Sequence, residues 1–239
     1  MAWLFRSPLA SLSILRLRPD SLLASFMQLV ECLNNAVYRA RSFISAFLII
    51  VLLAACGGAP TLPKLNAGDV IVAFGDSLTY GTGAETQAAY PAVLSTLVDH
   101  PIVNAGVPGE TTDEAIARLP EVLTEYQPKL VLLCLGGNDM LHKTAASTIA
   151  QNLRAMIHAI QASGAAVVLI GVPEPKLFGG APAFYATIAD DLKLPYEGKV
   201  FNEVLRNPSL KSDPIHANAE GYRLVAQRLA LLLKSSGAL

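Results

Sequence analysis

From about residue 67 onward the chain alternates short apolar runs with longer amphipathic stretches, and this rhythm restricts the fold more than any other feature. It is the pattern of parallel strands joined by crossover helices. Asp69 to Phe74, Leu130 to Leu135 and Ala166 to Gly171 read as buried central strands, and Pro101 to Asn104 as a shorter one. Pro91 stands where the first turn of a helix tolerates proline, opening a helix through about Val98. Thr111 and Glu114 have capping-box spacing, which starts another. Between Thr148 and Ala162, Ile149, Leu153, Met156, Ile157 and Ile160 share one helical face, and Gly164 supplies the stop. A last helix, Ala219 to about Lys234, repeats the stripe with Tyr222, Val225, Leu229 and Leu232. The expected architecture is a three-layer α/β/α sandwich around a parallel sheet of about five strands, with ligands at the carboxyl ends of the strands.

Composition changes sharply upstream. Residues 1 to about 55 are apolar and basic with two acids, Asp20 and Glu31. Ser42 to Ala55 is uncharged, follows Arg39 and Arg41, and closes on Leu53-Ala54-Ala55-Cys56, the layout of a signal peptide. Its apolar stretch, about 14 residues, is shorter than the roughly 20 a spanning helix needs. Met27 offers an alternative start that leaves a short basic region before the apolar core. The expected organisation is residues 1–56 as N-terminal extension and signal, 57–66 as a Gly/Pro-containing tether, and 67–239 as one domain of ordinary size.

A net charge of −1, with no run of Lys or Arg in the globular part, gives no electrostatic footprint for nucleic acid. The three cysteines, Cys32, Cys56 and Cys134, form neither a CxxC pair nor a zinc-type spacing, so no metal site or disulfide framework is expected. Gly81-Thr82-Gly83 lacks the third glycine of a dinucleotide fingerprint, and no Walker A sequence occurs; no cofactor is expected.

Chemistry-bearing residues collect after the strands. Phe74-Gly75-Asp76-Ser77-Leu78-Thr79 puts a serine at the carboxyl end of the first, although Gly-Asp-Ser is also ordinary turn composition. Asp213-Pro214-Ile215-His216 offers what a serine nucleophile lacks, a base and a carboxylate to orient it. His100, His142 and His158 are worse placed than His216, before a strand, after a strand-end loop and within a helix. Asn104-Ala105-Gly106 and Gly136-Gly137-Asn138-Asp139 each suit an oxyanion hole or a plain turn. No Gly-x-Ser-x-Gly elbow occurs, which disfavours the α/β-hydrolase fold. Asp76, Glu110 and Asp139 read as loop hydrogen-bonding groups, and Cys134 as a buried strand residue.

Taken together and in this order, Gly75-Asp76-Ser77-Leu78, Gly106, Gly136-Gly137-Asn138-Asp139 and Asp213 to His216 resemble the four sequence blocks of the GDSL (SGNH) hydrolases. The match covers about residues 70 to 235 and is similar to the arylesterase, acyl-CoA thioesterase I and lysophospholipase L1 branch. The resemblance implies a flavodoxin-like fold and a serine esterase. In it Ser77 attacks the acyl carbon, His216 moves the proton, Asp213 orients His216, and the Ser77 and Gly106 N–H groups with the Asn138 amide hold the oxyanion. Ala217 departs from the proline common after the histidine, which implies a slightly looser loop. Leu53 to Cys56 resembles the lipobox of bacterial lipoproteins, which implies acylation at Cys56 and an exported enzyme anchored at the envelope and facing the periplasm. The plainer alternative is a generic secretory signal that happens to end on a cysteine.

The substrate is less determined than the reaction. Leu78, Met140, Leu141, Pro214 and Ile215, expected near the site, favour a lipid or small-molecule acyl ester over an acetylated sugar, whose deacetylase would need a shallow polar cleft. Leu177 to Pro182 reads as a lid-side loop or a connector. A non-catalytic binding lipoprotein is the alternative from another class, opposed by the complete residue set. The enzyme is expected to act as a monomer.

Overall fold

The computed structural model describes residues 26–34, 37–39, 41, 59–175 and 179–239, and divides into two units, Met1–Gly58 and Ala59–Leu239. In the first, residues 26–34, 37–39 and 41 are helical and exposed. Ser42 to Cys56, where the signal and the acylated cysteine are expected, lies outside the described residues, as do Leu177 and Phe178 of the expected lid-side loop.

The second unit carries five strands: β1 (Ile71–Gly75), β2 (Ile102–Gly106), β3 (Leu130–Cys134), β4 (Ala166–Ile170) and β5 (Tyr196–Glu197). All pair in parallel in the order β2-β1-β3-β4-β5. The central strands β1 and β3 are buried at every position, as expected of runs covered on both faces. The expected edge strand extends two residues further, to Gly106, because Phe74 and Gly75 of β1 pair with Ala105 and Gly106.

Helices α1 (Ser77–Tyr80), α2 (Tyr90–Val98), α3 (Thr112–Tyr126), α4 (Gly137–Leu141), α5 (Ala146–Ala162), α6 (Ala183–Leu192), α7 (Val200–Arg206) and α8 (Ala219–Ser235) fill the connections. Packing of α2 on α8 and of α3 on α5, with α6 beside α5, makes the outer layers of the sandwich. The capping box is present at α3: Thr111 Oγ1 accepts the Glu114 N–H, and Glu114 accepts the Thr111 N–H. All five stripe residues of α5 are buried. In α8, Tyr222, Val225 and Leu229 are buried as expected, but Leu233 reaches the core while Leu232 is half-buried.

The expected tether is shorter at its domain end. Leu62 and Leu65 are buried, and their N–H groups donate to Ser236 and Ala238 carbonyls at 2.7 and 2.8 Å. Two leucines three apart give this stretch apolar surface to bury, which outweighs its Gly/Pro composition. It docks near the amino ends of the strands, leaving the carboxyl ends clear.

Candidate active site

The strand order reverses between β1 and β3, so the segments after them diverge and leave a crevice at the carboxyl edge. Gly75 makes the turn out of β1, where a Cβ would lie 2.4 Å from the Cys134 carbonyl oxygen. Asp76 caps α1 through Oδ1, which accepts the Leu78 N–H at 3.0 Å, and Ser77 is the first residue of the helix. Burial pushes the Asp76 carboxyl up to about 7, with Asp139 and Glu110 adding to the rise and the Leu78 N–H opposing it.

From the far end of the chain the Asp213–His216 loop reaches the same point. Asp213 Oδ1 accepts the Ile215 and His216 N–H groups at 2.8 and 2.9 Å, which folds the loop so that both side chains face one way. Asp213 Oδ2 accepts from His216 Nδ1 at 2.7 Å, and His216 Nε2 lies 2.9 Å from Ser77 Oγ. Burial works to raise the Asp213 carboxyl, but hydrogen bonds from Ile215 and His216 and the nearby imidazole outweigh it and hold it below its usual range. With Asp213 ionised, Nδ1 carries the proton and Nε2 is left to accept from the serine hydroxyl. The loop is tied down by an antiparallel bridge between Lys211 and Ala217 and by the Ser212 N–H on the His216 carbonyl, so Ala217 does not loosen it.

The other expected groups divide. Asn138, in α4, lines the crevice, and its Nδ2 donates to the Glu110 carbonyl at 2.9 Å, leaving a second amide hydrogen. The Ser77 N–H has no acceptor among the described residues. Gly106 is placed differently: its N–H donates to Asn104 Oδ1 at 3.0 Å, and a Cβ there would lie 2.2 Å from the Tyr80 nitrogen. Its bareness lets β2 close against α1. Between Gly106 and Glu110 only Gly109 has an uncommitted N–H among the described residues, since Val107 donates to Gly75, residue 108 is proline and Glu110 donates to Val107.

The carboxylates have structural work. Glu110 is held by Arg118 through Nε and Nη2, both at 2.7 Å; Nη2 also reaches the Ala105 carbonyl, and the guanidinium stacks 4.3 Å over Phe74. Asp139 accepts the Thr112 N–H and hydroxyl, coupling α4 to α3. Burial raises the Cys134 thiol well above its usual range, which keeps it protonated. Among the described residues no three His, Cys, Asp or Glu gather as a metal-binding group.

Ser77 and His216 open into a cleft of about 500 Å³. Leu78, Leu141, Pro214 and Ile215 line it as expected, whereas Met140 packs against the core instead. Val172 to Pro175 after β4, Asn202, Leu205 and Arg206 of α7, and Lys211 line it without having been singled out in the sequence. The first group follows a predicted strand and was findable by that rule; α7 and β5 carry too few residues for a periodicity to show.

The matching family model, GDSL-like lipase/acylhydrolase, spans residues 73–224. The chain belongs to this family. Among GDSL-like relatives it is similar to thioesterase 1/protease 1/lysophospholipase L1 of Escherichia coli (strain K12), 30% identical over 196 residues, 79% of this chain and 90% of the relative. It is also similar to esterase TesA of Pseudomonas aeruginosa, 34% identical over 134 residues, 54% of this chain and 67% of that protein. Its fold overlays the crystal structure of TesA with a TM-score of 0.64 at 26% identity, covering 70% of this chain and 99% of that one.

Proposed function

We propose that this GDSL-like hydrolase is a serine esterase that cleaves carboxylic esters through an acyl-enzyme on Ser77. The observation that carries the reading is the unbroken relay from Asp213 through His216 to Ser77, with contacts of 2.7 and 2.9 Å, at the mouth of a cleft whose wall includes Leu78, Leu141, Val172 and Ile215. Ser77 Oγ bonds to the acyl carbon as its proton passes to His216 Nε2. The carbon to alcohol-oxygen bond then breaks, and that oxygen leaves with the proton. Water repeats the sequence, giving up a proton to His216 and releasing the carboxylic acid and free Ser77. Asp213 holds the imidazole in the required tautomer.

The oxyanion is held by the Ser77 N–H and the Asn138 amide. Because the Gly106 N–H is committed to Asn104, we assign the third donor to Gly109, one residue before the carbonyl that grips Asn138. Such donors are worth on the order of 100- to 1,000-fold in rate each. The apolar wall favours acyl chains over the acetylated sugars of a deacetylase, and thioesters are a secondary substrate.

The test is hydrolysis of p-nitrophenyl acetate, butyrate and octanoate by the purified protein beside Ser77→Ala. Turnover is expected with all three, rising toward the longer chains, and to fall by about 10⁴-fold or more in the variant. Hydrolysis unaffected by the substitution contradicts the serine mechanism; turnover of acetate alone favours the deacetylase.

The sequence Leu53-Ala54-Ala55-Cys56 supports export and acylation at Cys56. No helix among the described residues is long and apolar enough to cross a membrane. Metabolic labelling with a fatty acid in a bacterial host is expected to mark the protein and to be lost in Cys56→Ser; equal labelling of both sinks the anchor.

A further inference from the structure

Ser77 follows β1 and Asn138 follows β3, so two donors to one oxyanion must be held in register from separate strands. Asn138 is placed by a backbone atom: its Nδ2 donates to the Glu110 carbonyl at 2.9 Å. With one amide hydrogen spent there, the plane of the amide is fixed and so is the direction of the second. Glu110 closes a turn with Pro108 second and Gly109 third, its N–H donating to the Val107 carbonyl at 3.2 Å and Gly109 standing at a φ of 85°. Val107, Pro108 and Gly109 are exposed, and Glu110 is the buried foot of the turn.

Arg118, in α3, holds that foot. Its Nε and Nη2 both donate to the Glu110 carboxylate at 2.7 Å, Nη2 also donates to the Ala105 carbonyl of β2 at 3.1 Å, and the guanidinium lies 4.3 Å over the Phe74 ring of β1. The two side chains are 24% and 5% exposed, so this is a two-pronged grip largely out of water and not a loose surface pair. Phe74 stands three residues before Ser77. One guanidinium therefore touches the strand that carries the nucleophile, the edge strand beside it and the residue whose carbonyl orients Asn138. The backbone of α4 is held separately, by the Thr112 N–H and hydroxyl on Asp139 at 2.9 and 2.6 Å, which leaves the rotation of the Asn138 amide to Glu110. The Gly109 N–H also has its own support, since Val107 donates to the Gly75 carbonyl at 2.9 Å and the turn closes on itself.

Oxyanion donors work because they are already aimed when charge develops, and a displacement of about 1 Å costs on the order of 100-fold in rate. We propose that Arg118 is a positioning residue for ester hydrolysis, which holds Glu110 and through its carbonyl aims the Asn138 amide at the oxyanion of the Ser77 adduct. Neither Arg118 nor Glu110 lines the cleft, so both act through Asn138 and not on the substrate. This rests on the reading of Ser77 and Asn138 given above and adds to it how the amide is aimed.

The test is a double-mutant cycle on p-nitrophenyl butyrate hydrolysis, with kcat and KM measured separately and folding followed by thermal melting. Arg118→Met is expected to lower kcat about 10- to 100-fold and to leave KM within about threefold, because the aimed donor acts on the transition state. In an Asn138→Ala background the same substitution is expected to cost less than about threefold, since the amide it aims is gone. Breaking the pair leaves the Glu110 carboxylate buried and unpaired, so Glu110→Gln combined with Arg118→Met is the second variant. It is expected to regain melting temperature but not kcat, and it carries the cycle in place of Arg118→Met if that variant does not fold. Wild-type kcat in Arg118→Met, recovery of kcat in the combined variant, or equal losses with and without Asn138 overturns the positioning role. Wild-type kcat in Asn138→Ala overturns the oxyanion assignment and this inference with it, whereas turnover that does not depend on Ser77 overturns the esterase reading.

Discussion

Asp76 and Ser77 are neighbours with opposite demands. The serine must meet solvent and substrate, whereas the aspartate, 2% exposed, closes the turn beneath it and caps α1. Burial leaves Asp76 neutral up to about pH 7, while in an unfolded chain it ionises near pH 4. Between these values the unfolded state has lost a proton that the folded state keeps, so this residue's contribution to stability falls as pH rises from about 4 to about 7 and is level beyond. Asp76→Asn keeps an oxygen to accept the Leu78 N–H and cannot ionise. Denaturant titrations are expected to show it more stable than wild type at pH 8, by an amount on the order of a few kcal/mol, with the gap closing toward pH 4.5. A gap that is the same at both pH values would show that Asp76 is not buried as a neutral acid. Asp213, held low, remains charged throughout this range and keeps His216 oriented.

At the scale of elements, what was legible in the sequence was whatever had length or a specific local device. The three central strands were continuous apolar runs, α5 and α8 carried stripes several turns long, and α3 announced itself through Thr111 and Glu114. The elements without such signals escaped: α1 and α4 have four and five residues, β5 has two, and α7 seven. These short pieces exist because of what they join. α1 and α4 are the single turns that carry Ser77 and Asn138 away from β1 and β3, and β5 survives as an edge because Leu169 and Gly171 donate to Pro195 and Glu197. The reading of Gly106 as a donor shows the same limit, since a glycine after a strand serves close packing as readily as catalysis. Only the Asn104 side chain on its N–H separates the two.

Over the whole domain, function follows from topology. Reversal of strand order between β1 and β3 opens the crevice, and residues 139 positions apart, Ser77 and His216, meet across it. Away from the crevice, Leu62 and Leu65 are sealed against the last residues of the chain, Ser236 and Ala238. The central claim, that Ser77 carries the acyl group, is tested most directly by mixing the protein with excess p-nitrophenyl octanoate, quenching in acid and mapping the adduct by mass spectrometry. An octanoyl group is expected on the peptide containing Ser77, to be absent in Ser77→Ala, and to accumulate with an initial burst of nitrophenol if deacylation is the slower step. An acyl group found on another residue, or turnover that persists in Ser77→Ala, would contradict it.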